Sequence, residues 1–210
     1  MMKEPILLVG AGGHARACID VIEQEGRYTV VGLVGLQQEV GSLVLGYPVL
    51  GTDDDLPNFL SRLSCALITV GQIKSPELRM KLHLQLDALG FSLPVVVSPF
   101  SYVSAHAKVG VGTIVMHGAI VNAGANIGRN CIINSKALVE HDAVVGDFCH
   151  IATAAVLNGN VTIGDGSFIG SNACVAQGKR VPDRSLVGMG QLVLSDFKAD
   201  SNPPPFKSKL

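Results

Sequence analysis

Seventeen aliphatic residues stand at a strict spacing of six. They run Val97, Val103, Val109, Val115, Val121, Ile127, Ile133, Val139, Val145, Ile151, Leu157, Ile163, Ile169, Val175, Val181, Val187, Val193, with no position skipped. A helix repeats near 3.6 residues and a strand near 2, so neither accounts for this period. A fixed hexad is the period of the parallel β-helix of hexapeptide repeats. From Val103 onward the residue four after the aliphatic is mostly small: Ala107, Thr113, Ala119, Ala125, Cys131, Ala137, Ala143, Cys149, Ala155, then Ser167 and Ala173. One large and one small inward side chain per hexad suits a narrow prism with three flat faces. Three hexads make a coil of about eighteen residues, and coils stack roughly 4.8 Å apart. The span holds about five coils. Glycine often follows the aliphatic (Gly110, Gly128, Gly146, Gly164, Gly170, Gly188), as expected where a tight corner needs a permissive backbone. Spacing leaves the handedness open.

Ahead of the repeats, strand and helix patterns alternate. Pro5 to Val9 is a continuous apolar strand, residues 14–25 have helical spacing, and Tyr28 to Val34 is a second strand. Cys65 to Val70 is another strand, and Glu77 to Leu89 an amphipathic helix stopped at Gly90. This order predicts a small Rossmann-like parallel sheet of three or four strands. The expected division is an α/β domain over 1–96, an all-β parallel β-helix over 97–194, and a tail over 195–210. Asn202-Pro203-Pro204-Pro205 excludes helix or central strand from that tail.

Composition narrows the function. Hydrophobic residues make up 48% and charged residues 16%, which favours a large core over disorder. The net charge is -1 with no basic run, which argues against nucleic acid and anionic membranes as partners. The opening apolar run is too short for a signal peptide, and no stretch of about 18 uninterrupted apolar residues offers an integral membrane segment. A cytoplasmic location is expected. Cys18, Cys65, Cys131, Cys149 and Cys174 are odd in number and form no CxxC, which fits buried thiols in a reducing compartment.

Two motifs carry chemistry. Gly10 to Ala15 reads GAGGHA between the first strand and first helix, a turn at which phosphate approaches a helix N-terminus. A dinucleotide site also expects an acidic residue at the end of the second strand, where Val34-Gly35-Leu36 stands, so NAD is disfavoured. A nucleotide-sugar diphosphate remains compatible, as does a tight turn with no ligand. Among the repeat-domain histidines, His106, His117 and His150 read as surface imidazoles. His141 differs, lying between Glu140 and Asp142 with Ala123 and Gly159 as its stacked neighbours. A carboxylate beside an imidazole orients it and raises its basicity, so His141 is the candidate general base. A metal site is the rival reading. His141 and His150 lie half a coil apart and would meet only across a subunit interface.

The hexads, the GAGGH opening and the segment NSKALVEHDAVVGDFCH (Asn134 to His150) together resemble the bacterial hexapeptide-repeat sugar acyltransferases of the sialic-acid O-acetyltransferase type. These include the UDP-4-amino-sugar N-acetyltransferases. The resemblance implies a left-handed β-helix, a homotrimer with sites between adjacent helices, and acetyl-CoA as co-substrate with no metal. It implies that His141 takes a proton from the sugar amine, that Asp142 raises its basicity, and that Asn134 assists. It places His150 by the acetyl group, Gly159, Ser171 and Met189 along the CoA groove, and uridine diphosphate against Gly12, Gly13 and His14 near Gly71. Two departures stand out. Val34-Gly35 occupies the place of a common Asp-Asp pair, and Asn-Pro-Pro-Pro replaces a common Gly-x-Pro-Ala ending. The expected activity is N-acetylation of a UDP-linked 4-amino sugar. O-acetylation of a sugar such as sialic acid is the nearest alternative. More distant are a zinc-dependent γ-carbonic-anhydrase-like hydratase, which needs three interfacial histidines, and a non-catalytic scaffold.

Overall fold

The computed structural model describes residues 3–61 and 63–198, and the proline run at 203–205 lies outside them. β1 (Glu4–Val9) is an interior strand of the first sheet, and its apolar run is buried on both sides. Ile6 and Leu8 face α1 (Gly13–Glu25), which presents Ala15, Cys18, Ile19 and Ile22. Leu7 and Val9 face α3 (Glu77–Leu89), through Leu82 and Leu86. This two-sided burial is why β1 reads as an unbroken hydrophobic run. Gly90 ends α3 in the left-handed region at φ 86°, as its sequence position predicts.

The sheet also holds β2 (Tyr28–Val34), β3 (Leu43–Val44), β4 (Tyr47–Gly51) and β5 (Cys65–Ile68), in the order β3-β4-β2-β1-β5. All pairings are parallel except β3 with β4. That hairpin and the short helix α2 (Leu56–Leu60) are additions to the sequence reading. The hairpin turns through Leu45 (φ 50°) and Gly46 (φ 88°). Two left-handed residues usually announce themselves as Asn-Gly or Asp-Gly, and leucine in the first place hides the turn.

Seventeen two-residue strands follow among the described residues, one every six residues from β6 (Val96–Val97) to β22 (Leu192–Val193). Each ends on one of the hexad aliphatics. They form three parallel sheets of six, six and five strands, the faces of a left-handed parallel β-helix. The first face begins with β6, the second with β7 (Tyr102–Val103) and the third with β8 (Lys108–Val109). The aliphatics and the small residues share one continuous core.

The small positions are not equivalent. Thr113, Cys131, Cys149 and Ser167 occupy one column, and each donates to a carbonyl of the next coil. The Cys131 and Cys149 thiols reach Gly146 and Gly164 at 3.0 and 3.1 Å. Burial and the neighbouring Cys131 thiol push the Cys149 thiol well above its usual range, so these are inert core groups.

The corner glycines have a different reason from the one expected. From Val109 to Val187 the left-handed corner residue is the third after the aliphatic, for example Gly124, Gly166, Asn130 or Asn172. The glycine directly after the aliphatic is needed for close coil contact. A Cβ on Gly146 would lie 2.3 Å from the Asp165 carboxylate, and one on Gly170 would lie 2.6 Å from the Met189 amide.

The first face is covered by the N-terminal part of the chain. Its outward residues Val96, Ile114 and Ile132 join the α1 side of the first core. The second face presents Tyr102, Ile120, Leu138, Val156, Cys174 and Leu192, an apolar ladder, with Tyr102 58% and Leu192 64% exposed. The third face is more polar, with Lys108, Asn126, Thr162 and Arg180 pointing outward.

Candidate active site

The first part of the site is a cleft at the carboxyl end of β1. Gly10 turns the chain at φ 119°, and a Cβ there would meet Val70 at 2.6 Å. Gly12 caps α1 without a side chain, Gly13 opens it, and both look onto free space. The first turn carries no acidic residue. The helix N-terminus is therefore bare and suited to an anion. The cleft has a volume of about 430 Å³. Gly12, Gly13, His14 and Gly71 all line it, so the structure brings together the four residues expected to hold the nucleotide. Its other walls include Gly35 and Leu36, with the carboxylates of Glu39 and Asp53. Burial raises Asp53 above the usual carboxylate range, ahead of the opposing pull of Lys81.

From this cleft the polar groups continue under the prism. The His14 ring centroid lies 6.5 Å from that of His150. His150 opens β15 (His150–Ile151) on the first face and is buried, unlike the surface imidazole the sequence suggested. Its Nδ1 contacts the Gln72 carbonyl at 2.5 Å, and its Nε2 contacts the Asn134 amide at 3.0 Å. Burial, then the cation of Arg79, brings the pKa of His14 down to about 3, and burial with Arg79, against the raising Gln72 hydrogen bond, brings that of His150 to about 4. Both rings are neutral at physiological pH.

Arg79 is a buried cation beside the cleft that the sequence pattern did not bring forward. It is 1% exposed and has no carboxylate partner among its hydrogen bonds. Its guanidinium donates to the carbonyls of Ile68, Val70 and Asn130, joining α3, the cleft wall and the prism. The signal was present: Arg79, Leu82 and Leu86 share the buried stripe of α3, where a cation stands out.

The second part of the site is on the corner between the second and third faces. Asp142 is the left-handed residue there, at φ 58°. Its carboxylate lies 3.0 Å from His141 Nδ1, and both side chains are exposed. Glu140 is turned aside, accepting from the Asn122 amide at 2.9 Å. Asp142 therefore holds the Nδ1 proton and leaves the lone pair on Nε2. Glycines flank the pair one coil away on either side. A Cβ on Gly159 would meet His141 Nε2 at 2.6 Å, and one on Gly124 would meet the Asp142 carboxylate at 2.3 Å. Gly159→Ala is accordingly expected to displace the imidazole and lower kcat about tenfold while leaving thermal stability within a few degrees, measured by steady-state kinetics and calorimetry.

Not all the expected site residues meet in one chain. Gly159 lies with His141 and Asp142. Asn134, Ser171 and Met189 follow strands of the first face and occupy its corner with the second. Gly190 donates to the Ser171 carbonyl at 2.8 Å, so Ser171 and Met189 belong to adjacent coils. The full width of the second face, on the order of 15 Å, lies between the two corners. His117 and His106 lie on earlier coils of the same two corners, where His117 bridges Ser98 and Asp20 and His106 is exposed. Among the described residues no group of three or more His, Cys, Asp or Glu is placed to hold a metal ion, and no helix is long and apolar enough to cross a membrane.

The chain matches two family models, the PglD N-terminal domain over residues 5–85 and the bacterial transferase hexapeptide (six repeats) over residues 142–177. No curated protein sequence is significantly similar. Among solved structures it resembles a perosamine N-acetyltransferase from Caulobacter crescentus in complex with CoA and GDP-perosamine. Identity there is 34% over 92% of this chain and 90% of that one, with a TM-score of 0.87. It also resembles the acetyltransferase domain of PglB from Neisseria gonorrhoeae in complex with acetyl coenzyme A, at 33% identity over 93% of each chain and a TM-score of 0.84. WeeI from Acinetobacter baumannii, at 19% identity and a TM-score of 0.59, shares the fold. With its GAGGH cleft, its unbroken hexads and these matches along nearly its whole length, the chain belongs to the hexapeptide-repeat sugar N-acetyltransferases that carry a PglD-type N-terminal domain.

Proposed function

We propose that this protein transfers the acetyl group of acetyl-CoA to the amino group of a nucleotide-linked 4-amino sugar, with His141 as general base. The observation that carries this reading is the His141–Asp142 pair, exposed on a corner between two glycines with Nδ1 taken by the carboxylate. The amine attacks the thioester carbonyl carbon, the new C–N bond forms, and Nε2 removes the amine proton. The C–S bond then breaks, and the proton returns to the departing thiolate. Direct attack needs no covalent enzyme intermediate once both substrates are held together. The diphosphate sits at the bare N-terminus of α1, against Gly12 and Gly13 and near His14 and Gly71. Ser171 and Met189 line the groove for CoA.

A UDP-linked sugar is the proposed acceptor. A GDP-linked sugar is the second reading, favoured by one feature of the cleft. Glu39 and Asp53 put carboxylate acceptors in the lining of the cleft. Guanine presents two adjacent donors, whereas uracil presents one donor between two acceptors. A thiol-release assay with acetyl-CoA, run against UDP-linked and GDP-linked 4-amino sugars and free sialic acid, tests both. Release with a nucleotide-linked amino sugar supports the proposal, and release with sialic acid alone overturns it in favour of O-acetylation.

The working unit is proposed to be a homotrimer. The apolar second face needs a cover, and cyclic closure brings the His141 corner of one copy to the Asn134 corner of the next. Ile120→Glu, which puts a charge at the middle of that face, is expected to give monomers by light scattering and to abolish turnover. A trimer that persists with full activity would place the interface elsewhere.

A further inference from the structure

Three hydrogen bonds beneath the first face have donors fixed by their partners. The Gln72 carbonyl only accepts, so His150 carries its proton on Nδ1. The Ser135 N–H only donates, at 2.8 Å, so the facing atom of Asn134 is Oδ1. The Asn134 Nδ2 is thereby turned to His150 Nε2 at 3.0 Å, and the amide must donate to the ring's lone pair. His150 therefore has no proton to give from Nε2. Burial and the nearby Arg79 keep the ring neutral against the raising effect of the Gln72 carbonyl, which holds its single proton on Nδ1. The T-shaped contact with Phe168, at 5.2 Å between ring centroids, fixes the ring plane. Asn134 is left with a second N–H that has no partner among the described residues, on a half-buried corner next to the apolar second face.

We infer that His150 is a positioning residue, and that through it Asn134 is held as the hydrogen-bond donor to the acyl carbonyl oxygen of the thioester. This rests on the acyl-transfer reading. As the amine attacks, the carbonyl π electrons move onto oxygen, and they return when the C–S bond breaks. An amide N–H already locked by two other hydrogen bonds meets that developing charge without reorganising, which is where such donors have most effect. The arrangement differs from the family-based expectation that His150 itself lies by the acetyl group. Here the imidazole is one bond removed, occupied on both nitrogens.

Glutamine and asparagine substitutions separate the two ring nitrogens. Glutamine places an acceptor near the position of Nε2, and asparagine places a donor near that of Nδ1. In the full-length protein, His150→Asn and Asn134→Ala are each expected to lower kcat about 10²-fold, the worth of one oxyanion donor, with both Michaelis constants within about threefold of wild type. His150→Gln is expected to recover at least about tenfold of that loss. The double variant Asn134→Ala with His150→Asn is expected to be no slower than Asn134→Ala alone, because both act on one donor. Nitrogen-15 NMR of wild type is expected to show His150 as the Nδ1–H tautomer at neutral pH. An Nε2–H tautomer overturns the relay whatever the enzyme's activity. Equal losses in the Gln and Asn variants overturn it too, as does a raised Michaelis constant for acetyl-CoA at unchanged kcat. A wild-type protein that transfers no acetyl group overturns the acyl-transfer reading, and the donor role falls with it, while the tautomer is read independently.

Discussion

His141→Ala is expected to lower kcat by about 10²–10⁴, the usual worth of a positioned general base. The attacking amine must lose a proton as its bond to the acetyl carbon forms, and Nε2 carries the free lone pair at this corner. Truncation removes it and leaves the fold alone, because the side chain is exposed and touches no core residue. Trimer formation and acetyl-CoA affinity should therefore survive. Asp142→Asn should cost less in kcat. It keeps the shape of the corner, and asparagine tolerates φ near 58° as aspartate does. It weakens the hold on the Nδ1 proton, so that part of the population carries its proton on Nε2 and cannot act as base. The check is kcat at saturating substrates for both variants, beside light scattering and acetyl-CoA binding. Near-native turnover in His141→Ala would assign the base to another residue.

Much of this was legible in the sequence because a prism is a periodic object. Each two-residue strand must end on an inward side chain, and the same slot returns every six residues. The aliphatic series therefore marks every strand of the prism. The reason for the following glycines was not legible, because it belongs to contacts between coils. Gly146 is small on account of Asp165, which lies on the next coil. The Cys-Cys run in one column had the same origin, a ladder of donors that no single hexad reveals. His141 could be singled out because its partner is its chain neighbour. The burial of His150 could not be read, since its partners Gln72 and Asn134 come from other elements, and for Arg79 the helical stripe betrays burial but not the carbonyls it serves. Local pattern reads a residue's own turn or strand. It does not read what another part of the chain lays over it, as the segment around Gln72 and helix α3 do over His150 and Asn130 where the sheet meets the prism.

That junction should also set the response to acid. His14 and His150 are held neutral, with pKa values of about 3 and 4 against an ordinary value of 6.5. The unfolded chain therefore takes up two protons below pH 6.5 that the folded chain refuses until far lower. Stability falls as pH falls through this window, because the unfolded state binds more protons. Between pH 7 and 5 the loss should be about 3–4 kcal/mol for the pair. Arg79 contributes to this behaviour from inside the core. Burial lowers its own pKa to about 10, so it stays charged at neutral pH, and it lowers both histidines. Arg79→Met is expected to lose about 3–5 kcal/mol at pH 7, since three buried carbonyls lose their donor together. It should also flatten the acid dependence, because both histidines regain part of their basicity once the cation is gone. Urea unfolding at pH 7 and 5, at one protein concentration so that assembly is held fixed, checks both halves. Equal wild-type stability at the two pH values would mean that His14 and His150 accept protons in the fold. A variant as stable as wild type would mean that water or other donors replace the guanidinium at Ile68, Val70 and Asn130. If the variant is less stable and its acid slope shallower, the charge in this core acts on both the junction and the two imidazoles beneath the cleft.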